Sequence, residues 1–352
     1  MSKDILYSIK NLTVEYKTRA GSVGAVDNVS YDIFRGEILG LVGESGCGKS
    51  TLGKALMRLH TGPAEITGGE LWFDGRDLMK FSDREMSDLR GAEIGMIFQD
   101  PMTSLNPVQR ILEHLTETIQ THEPETSNKA AEVRAEELVE RLGIRRERLS
   151  EYPHQMSGGM RQRVMISLAL ALDSKLVIAD EPTTSLDVIV EHKFLDLLCE
   201  LQDEFGLTIM LITHNIGVVA EIADRVAVMY AGKIVEIGDV FDIFGDPKHP
   251  YTQGLLRSVP NIKLDGGELY KMEGIPPNLL RPPSGCRFHP RCPFVMDICR
   301  TQEPAFEPVE ERDQITACWL YQESSVDQEM SHACATEIDG VSYSLKSQLP
   351  LY

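Results

Sequence analysis

The chain has 352 residues and a formal charge of −19, from 35 basic against 54 acidic side chains. That length suggests two or three structural units, and the acidity repels phosphate backbones, which counts against nucleic acid as a partner. No apolar run reaches the roughly 18 residues that a bilayer crossing requires, and "MSKDILYSIKNL" carries charges where a secretory signal needs an unbroken apolar stretch. The expectation is a soluble protein kept in a reducing cytoplasm, where its seven cysteines do not form a disulfide scaffold and a cluster of them suggests metal.

In chain order, the first 40 residues alternate as strands do ("LYSIKNLTVEY", "VDNVSYDIF"), and "EILGLVG" is a short apolar run that turns into glycine-rich sequence, as a buried strand feeding a loop does. From about residue 85 to 172 the pattern becomes helical. Ala131, Ala135, Leu138 and Leu142 repeat at four, three and four, which predicts an inserted helical lobe. Strand character returns in "KLVIAD", "LTIMLITH" and "RVAVMYAGKIVEIG", the last broken by an Ala-Gly-Lys turn that predicts a hairpin. Strands alternating with helices imply a mostly parallel α/β sheet. Beyond residue 260 the texture changes. Residues 271 to 310 hold eight of the 18 prolines, so regular helix or central strand is not expected there and something other than secondary structure must hold the segment. After Cys318 the polar sequence becomes a peripheral tail without a motif, and no internal repeat occurs.

Three motifs carry chemistry. "GESGCGKST", residues 43 to 51, fits G-x-x-x-x-G-K-[ST] between a strand and a helical stretch. Gly43, Gly46 and Gly48 let the backbone bend around Ser45 and Cys47, so that successive N–H groups face phosphates. Lys49 adds a point charge, Ser50 offers its hydroxyl to Mg²⁺, and Thr51 opens the helix, while Cys47 is a small filler at a variable position. "LVIADEP", residues 176 to 182, lifts Asp180 and Glu181 to the carboxyl edge of a sheet, one to hold Mg²⁺ and the next to polarise water. "QMSGGMRQRVMISLALAL", residues 155 to 172, puts Ser157, Gly158 and Gly159 at the start of a long helix, a second cradle for an anion. One nucleotide scarcely needs two cradles, which points to a second subunit completing each site.

With these motifs in this order, residues 1 to about 260 resemble the ATP-binding-cassette (ABC) ATPases. The resemblance implies that Tyr16 stacks on adenine and that 43 to 51 is the Walker A loop. It implies that Gln99 in "FQDP" senses Mg²⁺ and contacts a membrane subunit, and that Ser157 to Gly159 form the signature motif. Asp180 and Glu181 become the Walker B acid and the catalytic base, "SLD" at 185 to 187 the D-loop with Asp187, and His214 in "LITHN" a γ-phosphate contact. The usual Leu-Ser-Gly-Gly-Gln departs here to Met156 and Met160 around the Ser-Gly-Gly. "DPMTSLNPV", "HPYTQGLL" at 249 to 256 and "GIPPNLLRPPSGCRFHPRCPF" narrow the resemblance to the ATPase subunits of oligopeptide, dipeptide and nickel importers, over residues 1 to about 320.

The fold so implied is α/β: a P-loop NTPase ABC cassette over 1–260, with a RecA-like mixed-sheet core and a helical subdomain at about 85–172. A Pro/Cys-rich extension (261–325) and a tail (326–352) follow. The implied cofactors are ATP and Mg²⁺. Implied partners are two membrane permeases, a second and non-identical ATPase subunit, and an extracellular solute-binding protein, with this chain peripheral on the cytoplasmic face of the membrane.

Cys286, Cys292, Cys299 and Cys318 are separated by five, six and eighteen residues, wider than common zinc sites and unlike ferredoxin runs, so spacing alone leaves the ligand open. The resemblance implies a [4Fe-4S] cluster on these four, with Zn²⁺ as the alternative and unliganded structural thiols as a third reading; His289 is a candidate substitute for one thiol. Cys199 is expected in a helix core and Cys334 in the tail. Two rival functions stand beside the importer. A soluble cassette acting on DNA or ribosomes calls for basic patches, a tandem cassette or a long coiled coil, none of which the sequence has. A mainly regulatory, redox-sensing subunit calls for loss of Glu181 or His214, and both are present.

Overall fold

The structure, a computed structural model, describes residues 4–59, 62–99, 104–184, 186–258, 272–309 and 313–322. Ser185, the 100–103 stretch after Gln99, the start of the extension, Cys334 and the tail from 326 lie outside the described residues.

β1 (Ile5–Thr18) and β2 (Gly21–Phe34) are long antiparallel strands, and β1 also pairs with β4 (Ala64–Phe73), which pairs with β5 (Arg76–Asp77). The second sheet carries the chemistry. Its parallel centre runs β9 (Arg225–Tyr230), β3 (Ile38–Val42), β8 (Thr208–Thr213), β7 (Leu176–Asp180), β6 (Ile94–Ile97), and β10 (Lys233–Asp239) extends it antiparallel to β9. The sheet is therefore mixed. β3, β7 and β8 are buried throughout, as strands covered on both faces must be. Alternation sorts them: Leu39, Leu41, Met210 and Ile212 meet the β1–β2–β4 layer and α1 (Lys49–Leu56), while Ile38, Val42, Ile209 and Leu211 meet the helices on the other face.

The helical stretch contains α2 (Asp83–Leu89), α3 (Ile111–His122), α4 (Asn128–Arg141) and α5 (Gly158–Leu170), the last three packed on one another. β6 lies inside this stretch, contrary to the purely helical expectation. Four buried residues are too few to show a period, and it is their parallel pairing with β7 that makes them a strand. α6 (Val188–Phe205) and α7 (Ile216–Ile222) follow β7 and β8, and α8 (Val240–Gly245) and α9 (Pro250–Arg257) follow β10.

The extension departs from its expectation too. Secondary structure does help to hold it: β12 (Ile315–Thr316) pairs with β10 through Glu236 and Ile237, and β11 (Glu307–Pro308) pairs with β12. Proline sits on the outermost strand, where a missing donor costs no ladder bond. The short α10 (Asp297–Thr301) carries Cys299.

Candidate nucleotide site and cysteine cavity

β3 ends in the glycine loop. Gly48, at φ +113, caps α1 from the left-handed region, and a Cβ there would lie against the Ala25 carbonyl oxygen. Gly43 meets the Met229 carbonyl in the same way. Ser45 and Gly46 are exposed at the loop's crest, whereas Cys47 is buried against the core, as a filler would be. Lys49 Nζ donates to the Gly43 and Glu44 carbonyls at 2.8 and 3.2 Å, folding back along the loop. Tyr16 meets the first turn of α1, its hydroxyl 3.1 Å from Thr51 Oγ1.

Ser50 Oγ donates to Asp180 Oδ1 at 2.7 Å, bringing the end of β7 to the start of α1. Asp180 is 3% exposed. Burial pushes its carboxyl up, and the Ser50 hydroxyl, Lys54 and Lys49 oppose that rise. A hydroxyl and a carboxylate held this way form the oxygen pair that a hard Mg²⁺ ion selects.

Glu181 stands one residue further on with φ +47, a left-handed backbone that a non-glycine residue adopts only under constraint. Its Oε2 accepts from Thr184 Oγ1 at 3.0 Å, lies 3.2 Å from His214 Nδ1, and accepts from Gln99 Nε2 at 3.4 Å. Three residues singled out in sequence thus meet at one oxygen. Asp187 instead caps α6, accepting from the Val190 N–H at 3.0 Å, and Ser157 caps α5, accepting from Met160 N–H at 3.4 Å. Gly158 is exposed, and Gly159 lies close to Val190. Among the described residues, no hydrogen bond or ion pair joins Ser157, Gly158 or Gly159 to the glycine loop.

Other residues of the site escaped the sequence reading. Gln162 is 2% exposed, and its Nε2 donates to the Pro182 carbonyl, tying α5 to the turn after Glu181. The Glu44 N–H donates to Tyr251 Oη at 2.9 Å, and the Glu44 carboxylate pairs with Arg291. Tyr251, Gln162 and Arg291 all lie in stretches that carry the resemblance, but nothing in those stretches shows what each side chain meets.

In the extension, Cys286, Cys292, Cys299 and Cys318 line one small enclosed cavity with Phe288, His289 and Trp319. Burial pushes the Cys286 thiol up to about 11 and the Cys318 thiol higher, the other three thiols adding to the rise at Cys318. His289 turns Nδ1 to the Cys286 carbonyl at 3.0 Å. Four sulfurs around one space are a soft donor set suited to iron or zinc. Among the described residues, however, no three His, Cys, Asp or Glu side chains converge closely enough to hold a single metal ion.

Comparison with known proteins agrees with the motif order. The ABC transporter family model matches residues 26–184, and that of the oligopeptide/dipeptide transporter C-terminal region matches 235–299. The dipeptide transport ATP-binding protein DppD of Bacillus subtilis is 46% identical over 329 residues, covering 93% of this chain and 96% of its own. The oligopeptide transport ATP-binding protein OppD of Salmonella typhimurium is 47% identical over 309 residues, covering 87% and 92%. Among solved structures, the ATP-binding cassette MJ0796, a dimer bound to ADP and Pi, superposes with a TM-score of 0.60 at 30% identity, over 66% of this chain and 98% of that one. The chain belongs to the ATP-binding subunits of the oligopeptide and dipeptide ABC transporter family.

Proposed function

We propose that this chain hydrolyses ATP on the cytoplasmic face of the membrane to drive uptake of di- or oligopeptides or a related solute, with Glu181 as the base that activates water. The single observation that carries the reading is the convergence of Gln99, Thr184 and His214 on Glu181 Oε2, one residue beyond the Ser50–Asp180 pair. Mg²⁺, held by Ser50 and Asp180 with Gln99 beside them, would supply charge neutralisation at the β- and γ-phosphates. The loop N–H groups and Lys49 bind and orient the phosphates, and Tyr16 offers its ring to the base. Glu181 takes the proton of the attacking water, and His214 fixes the carboxylate that takes it.

A second ATP-binding subunit, read here as a non-identical relative, presents its own Ser157–Gly159 and Asp187 equivalents across the nucleotide. Among the described residues, Ser157–Gly159 make no hydrogen bond or ion pair with this chain's own loop, which supports that arrangement. Two permeases and an extracellular solute-binding protein complete the assembly, and no helix among the described residues is long and apolar enough to cross a membrane itself. The test is reconstitution of the complex that co-purifies with this chain into vesicles supplied with labelled dipeptides. Uptake that needs ATP on the face carrying this chain is expected; hydrolysis without peptide movement overturns the peptide reading.

For the extension we read a [4Fe-4S] cluster on Cys286, Cys292, Cys299 and Cys318. Four thiols lining one cavity supply the soft sulfur donors that an iron–sulfur cluster takes, with Zn²⁺ as the alternative occupant. Anaerobically purified protein is expected to be brown with about four irons per chain. Colourless protein with one zinc, or with no metal, contradicts the cluster and leaves the ATPase assignment intact.

A further inference from the structure

Glu44 is the second residue of the phosphate loop, and a carboxylate there opposes the charge of the triphosphate that the loop must hold. Among the described residues, the loop's own cation, Lys49, forms no ion pair with that carboxylate and donates instead to the Gly43 and Glu44 carbonyls. The neutralising group comes from 247 residues further along: Arg291 grips the carboxylate with both terminal nitrogens, Nη1 to Oε2 at 2.8 Å and Nη2 to Oε1 at 2.9 Å. The Arg291 side chain is 5% exposed and that of Glu44 25%. Arg291 is itself held by two further residues, donating from Nε to the Glu273 carbonyl (3.0 Å) and from Nη1 to Tyr230 Oη (3.3 Å), with its guanidinium 5.8 Å from the Tyr230 ring centre. The same loop residue is held at its backbone, where the N–H donates to Tyr251 Oη. Phe288 packs on the Tyr230, Tyr251 and His249 rings at 5.2, 5.5 and 5.8 Å, so the segment that bears Arg291 has little room to move. Arg287 adds a second clasp, on Asp27 and the Ala231 carbonyl at the β9–β10 turn.

We infer that Arg291 is a positioning residue for ATP: the C-terminal extension completes the nucleotide site in cis by neutralising Glu44 and fixing the first turn of the phosphate loop. Arg291 does not reach the phosphates on this account. It acts through Glu44, and the extension is then part of the ATPase and not an appendage to it. The residue immediately after Arg291 is Cys292, so one short backbone segment serves both the cysteine cavity and the phosphate loop. The inference rests on residues 43 to 51 being the ATP-phosphate loop.

The test is a cycle of full-length variants, Arg291→Gln, Glu44→Gln and the two combined, with Arg291→Lys as the conservative change. Each is measured for its Kd for ATP, for KM against kcat, and for folding by circular dichroism. Arg291→Gln leaves a carboxylate uncompensated in the loop and is expected to raise Kd and KM about tenfold with a smaller change in kcat, less so at high salt, where the repulsion is screened. Adding Glu44→Gln is expected to reverse most of that loss, because both charges are then gone, and Arg291→Lys is expected to keep most of the affinity. A purely structural arginine predicts the opposite: the double variant as weak as Arg291→Gln, with no dependence on salt. That result, or an unchanged KM in folded Arg291→Gln, overturns the inference. Should Arg291→Gln not fold, the double variant and Arg291→Lys still decide, since wild-type-like affinity in both is expected and loss in both contradicts it. A wild-type chain that binds no ATP would instead refute the reading of the loop, which separates the two failures.

Discussion

Glu181 holds a left-handed backbone conformation whose cost, on the order of 1 kcal/mol or more, is offset by its surroundings. Its N–H donates to the Ile212 carbonyl at 2.8 Å, and its carboxylate is held by Thr184, His214 and Gln99. Position in the sequence identified this residue; its strained backbone was not legible, because φ depends on what the turn after β7 is packed against. Gly48 is the opposite case, since a glycine just before Lys-Ser is itself the sign of a positive φ. Gly48→Ala forces a Cβ against the fixed Ala25 carbonyl and is expected to destabilise the chain by roughly 2 kcal/mol and to abolish ATP binding. Thermal melts and ATP titration check both effects, and a variant that binds ATP normally would show that the loop adopts another path.

Elements with a local signature were legible: the β3 run, the β9–β10 turn at Ala231 and Gly232, and the start of helix α5 at Ser157. What escaped depends on partners remote in sequence. β6 is a strand because β7 lies beside it, and β12 pairs two residues with β10 in an extension expected to be held by something other than secondary structure. At that junction Glu236 of β10 is fully buried and accepts from the Lys248 and His249 N–H groups at 2.6 and 3.1 Å and from Gln314 Nε2 at 2.8 Å. Burial pushes the Glu236 carboxyl up to about 7 from 4.5 and the His249 imidazole down to about 3 from 6.5. Between pH 4.5 and 7 the folded chain keeps a Glu236 proton that the unfolded chain releases, so this contribution falls as pH rises. His249 has the opposite sign, because between pH 3 and 6.5 only the unfolded chain binds its proton. From 4.5 to 6.5 the two slopes cancel. Glu236→Gln removes one of them, so the variant's unfolding free energy minus that of the wild type should rise across pH 4.5 to 7 by up to about 1.4 kcal/mol per pH unit. Denaturant melts across that range check it, and a flat difference would mean that Glu236 is ionised in the folded protein.

At the scale of the whole molecule, the proposed ATP site is made of parts that the chain brings together from four places: the loop after β3, Gln99 after β6, the end of β7, and His214 after β8. All four lie at the carboxyl ends of parallel strands, where an open α/β sheet binds its ligands. The extension is locked to this edge through Arg291 and Arg287, and to β10 through Glu236 and Gln314. The central claim is that one carboxylate activates the water. Replacing it isosterically keeps the shape of the site and removes only the base, so the most direct measurement is ATP binding and turnover by Glu181→Gln. The account predicts affinity within about threefold of wild type and turnover lowered by at least about a hundredfold. Turnover that persists at the wild-type rate would contradict it and place the base elsewhere.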